Sequence, residues 1–431
     1  MRISSGMIFD AGVSGINRNN SSLLHVQQQI SANRRILTPS DDPVAAARAL
    51  EVQQASDVVA QFKQNQAAAT SALGLEDGQL ASATDVLARV RELTIQAGST
   101  SLTSSQRKAI SIELRSRFDE LLGIANATDG SGQRTFAGYM GSTTPFGGSV
   151  DNLIAGNEIV YQGDDGQRKL QVSPSRFIEV SDSGNDVFKR IRNGNGTFVT
   201  DYASGNTGTG TITTGSITNP AAWSASATKN VAISFTVTGS VTTYDLVDTV
   251  SGNSLLTGGV APAPVASQRV FQSGQPIVLA AQGAEPAFNL GASLTINGSP
   301  ATGDSFSVTP STSQSVFVTL ANLIGALETP TGTPGADAKY ISEIGFAVTN
   351  LDQASSNILR VRAQIGTRMN EIESLGNLDD SLGFQYQQTL SNLQDLDYAK
   401  AISDLTQQQT ILQAAQQSFV KISQLSLFNF L

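Results

Sequence analysis

The sequence predicts an α+β multidomain chain: a long-helix, coiled-coil-like rod built from both chain ends, with a β-hairpin and an inserted outer β-rich domain. Three observations lead there. Residues from about Ile3 to Ala127 are rich in Ala, Gln, Leu and Val at helical spacing, and that character returns from about Glu343 to the end. Between them the chain turns to Gly, Thr and Ser, and from Tyr202 to Ala336 its only charges are Lys229, Asp245, Asp248, Arg269, Glu285, Asp304 and Glu328. In that stretch Val231, Ile233, Phe235 and Val237 alternate with Ala232, Ser234 and Thr236, the period of a strand with one buried face. A chain of 431 residues is long enough for two or three such domains.

The first helical segment places Phe9, Ile16, Leu23, Ile30 and Leu37 at intervals of seven, one row of a coiled-coil seam. Its companion row passes from Val13 to Asn20, Gln27 and Arg34, so the helix cannot complete a seam alone. Pro39, Ser40, Asp41, Asp42 and Pro43 read as a turn into the next helix, with Asp42 at the N-cap and Pro43 at the first helical position, where a missing N–H costs nothing. An acid–base pair or half a metal site is the other reading of the two carboxylates, but no third ligand accompanies them.

The pattern that follows runs from Pro43 to about Ala97, roughly 80 Å if helical throughout. Gly74 and Gly78 are the places for a bend or break, and Leu73, Leu80 and Leu87 with Ala83, Val90 and Ala97 keep a heptad stripe through the second half. A shorter helix starts near Thr103 or Ser104, runs antiparallel to its predecessor and buries Ile110, Leu114, Phe118 and Leu121. Residues 158–162 and 168–172, flanking Gly163-Asp164-Asp165-Gly166, predict a β-hairpin. Residues 204–218 are Gly and Thr with little to bury, a surface loop. Leu294-Thr295-Ile296 before Asn297-Gly298, and Phe306-Ser307-Val308 after Gly303-Asp304, continue the strand-and-turn rhythm.

The C-terminal region carries the best heptads: Leu351, Ile358, Ile365 and Ile372 in one row, Ala354, Val361, Arg368 and Leu375 in the other. The last segment sets Tyr398, Leu405, Leu412 and Phe419 at sevens, but Ile402 is followed in its row by Gln409 and Gln416. It repeats the defect of the first helix. Two half-finished amphipathic helices, one at each end, invite partner helices; an antiparallel pair within the chain satisfies the same pattern.

Composition narrows the chemistry. A net charge of -9 argues against nucleic acid or an anionic membrane as partner. The absence of cysteine removes disulfides, thiolate metal sites and cysteine nucleophiles. His25, the single histidine, lies in the helical run Leu24-His25-Val26-Gln27-Gln28-Gln29 and reads as an ordinary helix residue. There is no phosphate-binding Gly-rich loop; Gly194-Asn195-Gly196 lacks the third glycine of a dinucleotide fingerprint. The acidic pairs Asp164-Asp165, Asp379-Asp380 and Asp395 with Asp397 lack calcium-loop spacing and read as turns or solvated faces. The expectation is no enzyme, no cofactor and no metal. The N-terminus has no apolar run of signal-peptide type, and no run reaches the length of a membrane span.

The start, Met1-Arg2-Ile3-Ser4 through Gln27-Gln28-Gln29-Ile30 to Arg35-Ile36-Leu37-Thr38-Pro39-Ser40-Asp41-Asp42-Pro43, resembles the N-terminal signature of the flagellar hook-associated protein 3 family within the flagellin-like superfamily. Ala32-Asn33-Arg34 stands where small-Gly-Lys is usual. Arg134-Thr135-Phe136-Ala137-Gly138-Tyr139, Pro145-Phe146 and Tyr161-Gln162-Gly163-Asp164 resemble its mid-chain motifs, and the stretch from Arg362-Ala363-Gln364-Ile365 to Leu427-Phe428-Asn429-Phe430-Leu431 resembles its C-terminus. The likeness covers about the first 190 residues and the last 120; the segment between is a variable insert.

That resemblance implies a structural subunit of the extracellular flagellum at the hook–filament junction, exported through the flagellar type III channel without a cleaved signal peptide. It implies a ring of copies between hook-associated protein 1 and flagellin, with an export chaperone on the C-terminal helix. Subunit contacts would fall on Phe9, Ile16, Leu23 and Ile30, and on Tyr398, Ile402, Leu405, Leu412, Phe419, Ile422, Leu427, Phe428 and Leu431. Three layers are expected: 1–38 with 388–431 innermost, 39–190 with 337–387 as the helical rod, and 191–336 outermost. Flagellin itself is the first alternative, a secreted fibre or adhesin the second, and an enzyme hidden in the insert the weakest.

Overall fold

The computed structural model describes residues 5–99 and 101–424. Eight α-helices occur among them: α1 (Ser5–Ala32), α2 (Pro43–Ala97), α3 (Ser104–Ala125), α4 (Val150–Ile154), α5 (Pro220–Ala225), α6 (Val316–Glu328), α7 (Pro334–Gln394) and α8 (Tyr398–Gln424). The strands are β1 (Phe146–Gly147), β2 (Val160–Tyr161), β3 (Lys169–Ser173), β4 (Arg176–Glu179), β5 (Ile191–Arg192), β6 (Phe198–Tyr202), β7 (Thr211–Ile212), β8 (Ser216–Ile217), β9 (Val231–Thr238), β10 (Val241–Asp248), β11 (Asn253–Ser254), β12 (Arg269–Val270), β13 (Pro276–Ala280), β14 (Asn289–Asn297), β15 (Ser305–Pro310) and β16 (Ser313–Gln314). The chain divides into two compact units. One draws on residues up to Ala67, on 171–176 and on residues from Ile372 onward; the other takes 68–170 and 177–371.

The first unit is almost wholly helical, and its interior is thin. Ala45, Ala49, Val59 and Phe62 of α2, Val172 of β3, Ile372 of α7 and Ala401 of α8 are its buried apolar residues. Polar side chains do much of the joining. Gln66 Nε2 donates to the Val172 carbonyl (2.9 Å) and to Asp379 Oδ2 (2.7 Å), and Asn65 Nδ2 donates to the Gln171 carbonyl (2.8 Å). Asp379 and Asp380 therefore differ: the first is buried and bonded, the second pairs with Lys63 at the surface.

In the second unit the expected heptad rows are the core. Leu73, Leu80, Ala83, Leu87, Val90 and Ala97 of α2 are fully buried, as are Leu351, Ile358 and Ile365 of α7 or nearly so. Each buried Leu or Ile contributes roughly 1.5–3 kcal/mol. Ion pairs Arg91–Asp352 (2.7 Å) and Arg362–Asp77 (2.8 Å) join α2 to α7 in antiparallel order. Neither Gly74 nor Gly78 breaks α2. Helix α3 starts where the sequence suggests, and a capping box opens it: Gln106 N donates to Thr103 Oγ1 (3.3 Å) and Thr103 N to Gln106 Oε1 (2.9 Å).

Helix α6 was not anticipated. It lies within the span read as β-rich, and is apolar on nearly every face, with Val316, Phe317, Leu320, Leu323, Ile324 and Leu327 all buried. Phe317 enters an aromatic cluster, 5.6 Å from Phe118, 5.3 Å from Phe146 and 6.1 Å from Phe188 between ring centroids. Helix α7 likewise begins at Pro334, earlier than the expected Glu343, because Thr333 caps it through Ala336 N (3.3 Å) and Pro334 takes the first position.

The predicted hairpin is corrected in its pairing. Strand β2 pairs with β1, Tyr161 opposite Phe146, while β3 pairs with β4. The intervening 163–166 segment folds on itself instead: Asp164 Oδ1 accepts from Tyr139 N (2.9 Å) and Gly166 N (2.7 Å), and Tyr161 Oη donates to the Asp164 carbonyl (2.9 Å).

Two antiparallel sheets share the core of the β-rich region, one ordered β11-β10-β9-β15-β6 and one ordered β13-β14-β7. Val231, Ile233 and Phe235 point inward as the alternation predicts, but Val237 lies at the exposed end of β9. Phe235 is the hub, with Phe271 at 5.1 Å, Phe306 at 5.8 Å and Tyr244 at 6.0 Å. The expected 204–218 loop is corrected too, since it contains β7 and β8, both paired with β14, and Ile212 is buried. Several of the sparse charges are structural. Asp245 accepts from Ser254 Oγ (2.6 Å) and Ala263 N (2.8 Å), and Asp304 from the N–H groups of Thr207, Gly208 and Ala301 at 2.8–3.0 Å.

Candidate assembly interface

The two half-finished helices of the sequence meet each other. Phe9 of α1 lies 5.0 Å from Phe419 of α8 between centroids, and at the opposite end Arg34 bridges to Asp395, so α1 and α8 run antiparallel. Of the expected contact residues, Ile16, Leu23, Ile30, Leu405, Leu412 and Phe419 are half-buried, whereas Phe9 is 52% exposed, Tyr398 48%, Ile402 55% and Ile422 52%. Leu427, Phe428 and Leu431 lie outside the described residues. Met7 and Ile8, at 65% and 45% exposure, extend the apolar surface and were absent from the sequence-based set; they fall off the heptad row that selected it.

The pair is fastened at the turn between α1 and α2. Helix α1 ends in a Schellman motif: Arg34 N donates to the Gln29 carbonyl (3.1 Å) and Asn33 N to that of Ile30 (3.3 Å), with Asn33 at φ 51°. Asn33 is the sole non-glycine residue with positive φ among those described. Asparagine tolerates that region better than other side chains, which explains how it can stand where glycine is usual. Arg35 then bonds across to the other chain end, its N–H to the Gln394 carbonyl (2.7 Å) and its guanidinium to the Leu393 carbonyl (2.8 Å), and pairs with Asp42 (3.3 Å).

The cap residues take the expected places. Asp42 Oδ1 accepts from Ala45 N (3.0 Å) and Pro43 opens α2. Asp41 closes the turn that holds Pro39, Oδ2 accepting from Leu37 N (2.9 Å) and Thr38 N (2.8 Å). These backbone donors hold both carboxyls below the usual aspartate range, the Thr38 N–H leading for Asp41 and the Ala45 N–H for Asp42. His25 is more than a plain helix residue, since its Nε2 lies 3.7 Å from Asp41 Oδ1. Together these bonds fix the corner between α1 and α2. Elsewhere, a cavity of about 400 Å³ lined by Tyr202, Asn206, Thr331, Lys339, Tyr340 and Glu343 contains one acid, Glu343, bonded by Tyr202 Oη at 2.7 Å.

A model of the bacterial flagellin N-terminal helical region matches residues 3–140, and one of the bacterial flagellin C-terminal helical region matches residues 348–431. Flagellar hook-associated protein 3 of Escherichia coli (strain K12) is 25% identical over 430 residues, 99% of either chain. The crystal structure of the flagellar junction protein FlgL from Legionella pneumophila is 30% identical, with a TM-score of 0.69, over 81% of this chain and 100% of that one. The chain belongs to the flagellar hook-associated protein 3 family. Xanthomonas campestris FlgL is similar as well, 29% identical with a TM-score of 0.66 over 79% of this chain and 99% of that one.

Within the terminal pair, Gly12 sits close against Phe419. A Cβ there would lie 2.7 Å from Phe419 Cδ2. Gly12→Val is expected to force the Phe419 ring aside and weaken α1–α8 pairing by about 1–3 kcal/mol. Faster amide hydrogen exchange in α8, with exchange in β9 and β10 unchanged, would register it; unchanged exchange in α8 would refute the close fit.

Proposed function

We propose that the chain is a structural, non-enzymatic subunit of the bacterial flagellum, forming the junction between hook-associated protein 1 below and the flagellin filament above. The observation that carries the reading is the terminal helix pair: α1 and α8 touch, yet Phe9, Tyr398, Ile402 and Ile422 remain about half exposed. Neighbouring copies in a ring would cover them, each fully buried side chain adding roughly 1.5–3 kcal/mol. In the same reading Ile16, Leu23, Ile30, Leu405, Leu412 and Phe419, with Leu427, Phe428 and Leu431 beyond them, belong to that innermost contact. The layers are 1–38 with 388–431, then 39–190 with 337–387, then 191–336 outermost. Export runs through the flagellar type III route, with a chaperone on the C-terminal helix until release.

A deletion strain examined by electron microscopy separates junction from filament. The expected result is hooks without filaments and flagellin shed into the medium. Complementation with the chain lacking residues 407–431 should leave that defect in place although the protein is made and soluble. Normal filaments on the truncated chain would overturn the role given to α8; bare hooks without shed flagellin would favour the filament-subunit alternative.

A further inference from the structure

The chain contains three Asn-Gly dipeptides, Asn193-Gly194, Asn195-Gly196 and Asn297-Gly298, and the fold treats them differently. Glycine after asparagine leaves the peptide nitrogen unobstructed for attack on the side-chain amide, so each is an intrinsic deamidation site. At Asn193 the amide is held on both sides. Oδ1 accepts from Thr312 N (2.8 Å) and Ser311 Oγ (3.1 Å), Nδ2 faces Thr312 Oγ1 and Gln314 Oε1 (3.3 and 3.4 Å), and Gly194 N donates to Asn350 Oδ1 (2.7 Å). At Asn195, Oδ1 accepts from Thr197 N (3.0 Å) and Phe198 N (2.9 Å), while Nδ2 donates to the Thr214 and Gly215 carbonyls (3.2 and 3.3 Å). Its neighbour Gly196 N is engaged as well, with the Asn193 carbonyl at 3.2 Å.

Asn297 is the exception. It is exposed at the end of β14, and among the described residues its side-chain amide has no hydrogen-bond partner. The following glycine is fixed by geometry: Gly298 has φ +90°, and a Cβ there would meet the Thr209 carbonyl oxygen at 2.2 Å. The turn therefore retains the susceptible dipeptide. One feature opposes reaction, the 2.8 Å bond from Gly298 N–H to Ser273 Oγ, but it is a single bond to a side chain on an exposed turn.

We propose that Asn297 is the chain's site of spontaneous deamidation in the folded state, with water as the co-reactant. The Gly298 nitrogen attacks Asn297 Cγ and loses its proton to water, and the side-chain nitrogen departs as ammonia. The cyclic succinimide then takes up one water at either carbonyl, opening to aspartate or isoaspartate. In sum one amide and one water become one carboxylate and one ammonium ion. Each event adds a negative charge to the charge-poor domain, and the isoaspartate form lengthens the backbone where Asn297 pairs with Thr211 of β7.

The test is incubation of the full chain at mildly alkaline pH with peptide mapping by mass spectrometry. Because Asn193 and Asn195 must first surrender hydrogen bonds, conversion at Asn297 is expected to lead theirs by at least about tenfold. In urea the three rates should converge. Asn297→Gln should remove most early ammonia release. Equal rates at the three sites in the folded chain, or earlier conversion at Asn193 or Asn195, would overturn the proposal.

Discussion

Arg368→Ala is expected to destabilise the second unit by about 3–5 kcal/mol, the usual consequence of orphaning one partner of a buried ion pair. Arg368 occupies a heptad position where the pattern calls for an apolar side chain, and its guanidinium grips Asp182 through two hydrogen bonds of 2.8 and 3.0 Å. The side chains are only 15% and 6% exposed. Gln167 Nε2 donates to the same carboxylate at 2.7 Å. Loss of the arginine strands a buried negative charge beside a second acid, Glu76. Urea unfolding followed by circular dichroism reads the effect. The Arg368→Met, Asp182→Leu double variant should recover most of the loss, because the penalty lies in the unpaired charge rather than in the absence of the pair. A single variant within about 1 kcal/mol of the parent would sink this account.

Glu76 has the second large effect, and its sign is distinctive. The residue is fully buried on α2; Oε1 accepts from Asp182 N at 3.0 Å and Oε2 has no partner. Burial pushes its carboxyl well above the ordinary value of 4.5, the Asp182 charge adds to the push, and the Asp182 N–H, Arg368 and Arg168 oppose it. The folded chain thus holds this proton more tightly than the unfolded chain. Its stabilising contribution is complete below about pH 4.5 and is lost as pH rises through the folded pKa, at up to about 1.4 kcal/mol per pH unit. Glu76→Gln keeps the acceptor for Asp182 N and removes the titration. The variant should gain on the parent as pH rises above about 4.5. Parallel stability profiles across that range would show that Glu76 is not the cause.

Where periodicity and capping carried the signal, the fold was legible in advance. The rows through Leu73 and Leu80 and through Leu351 and Ile358 are buried, and Thr103 and Asp42 cap the helices assigned to them. The failures share a cause. Helix α6 is apolar on nearly every face, with Asn322 and Glu328 its exposed residues, so its short apolar run also fits a buried strand, although Ser315, which accepts from Phe317 N at 3.1 Å, was a readable cap. The Gly163-Asp164-Asp165-Gly166 segment has turn composition, but composition does not say which strands a turn joins; Asp164 used its carboxylate to bind Tyr139 and Gly166. Strands β7 and β8 are two residues each, too short for alternation to register. On α1 and α8 the heptad rows passed over the exposed Met7 and Ile8, and the positive φ of Asn33 was signalled only by its departure from the usual glycine.

The clasp formed by Arg35 spans 358 residues of sequence before it closes on the Leu393 carbonyl. Loop-closure entropy and contact order both place such a union among the last to form. During synthesis α1 is made before α8 and has no α8 to lie against until that helix follows. Helix α1 thus waits while α2 to α7 are made, and a chain truncated before α8 leaves the α1 side of the pair uncovered.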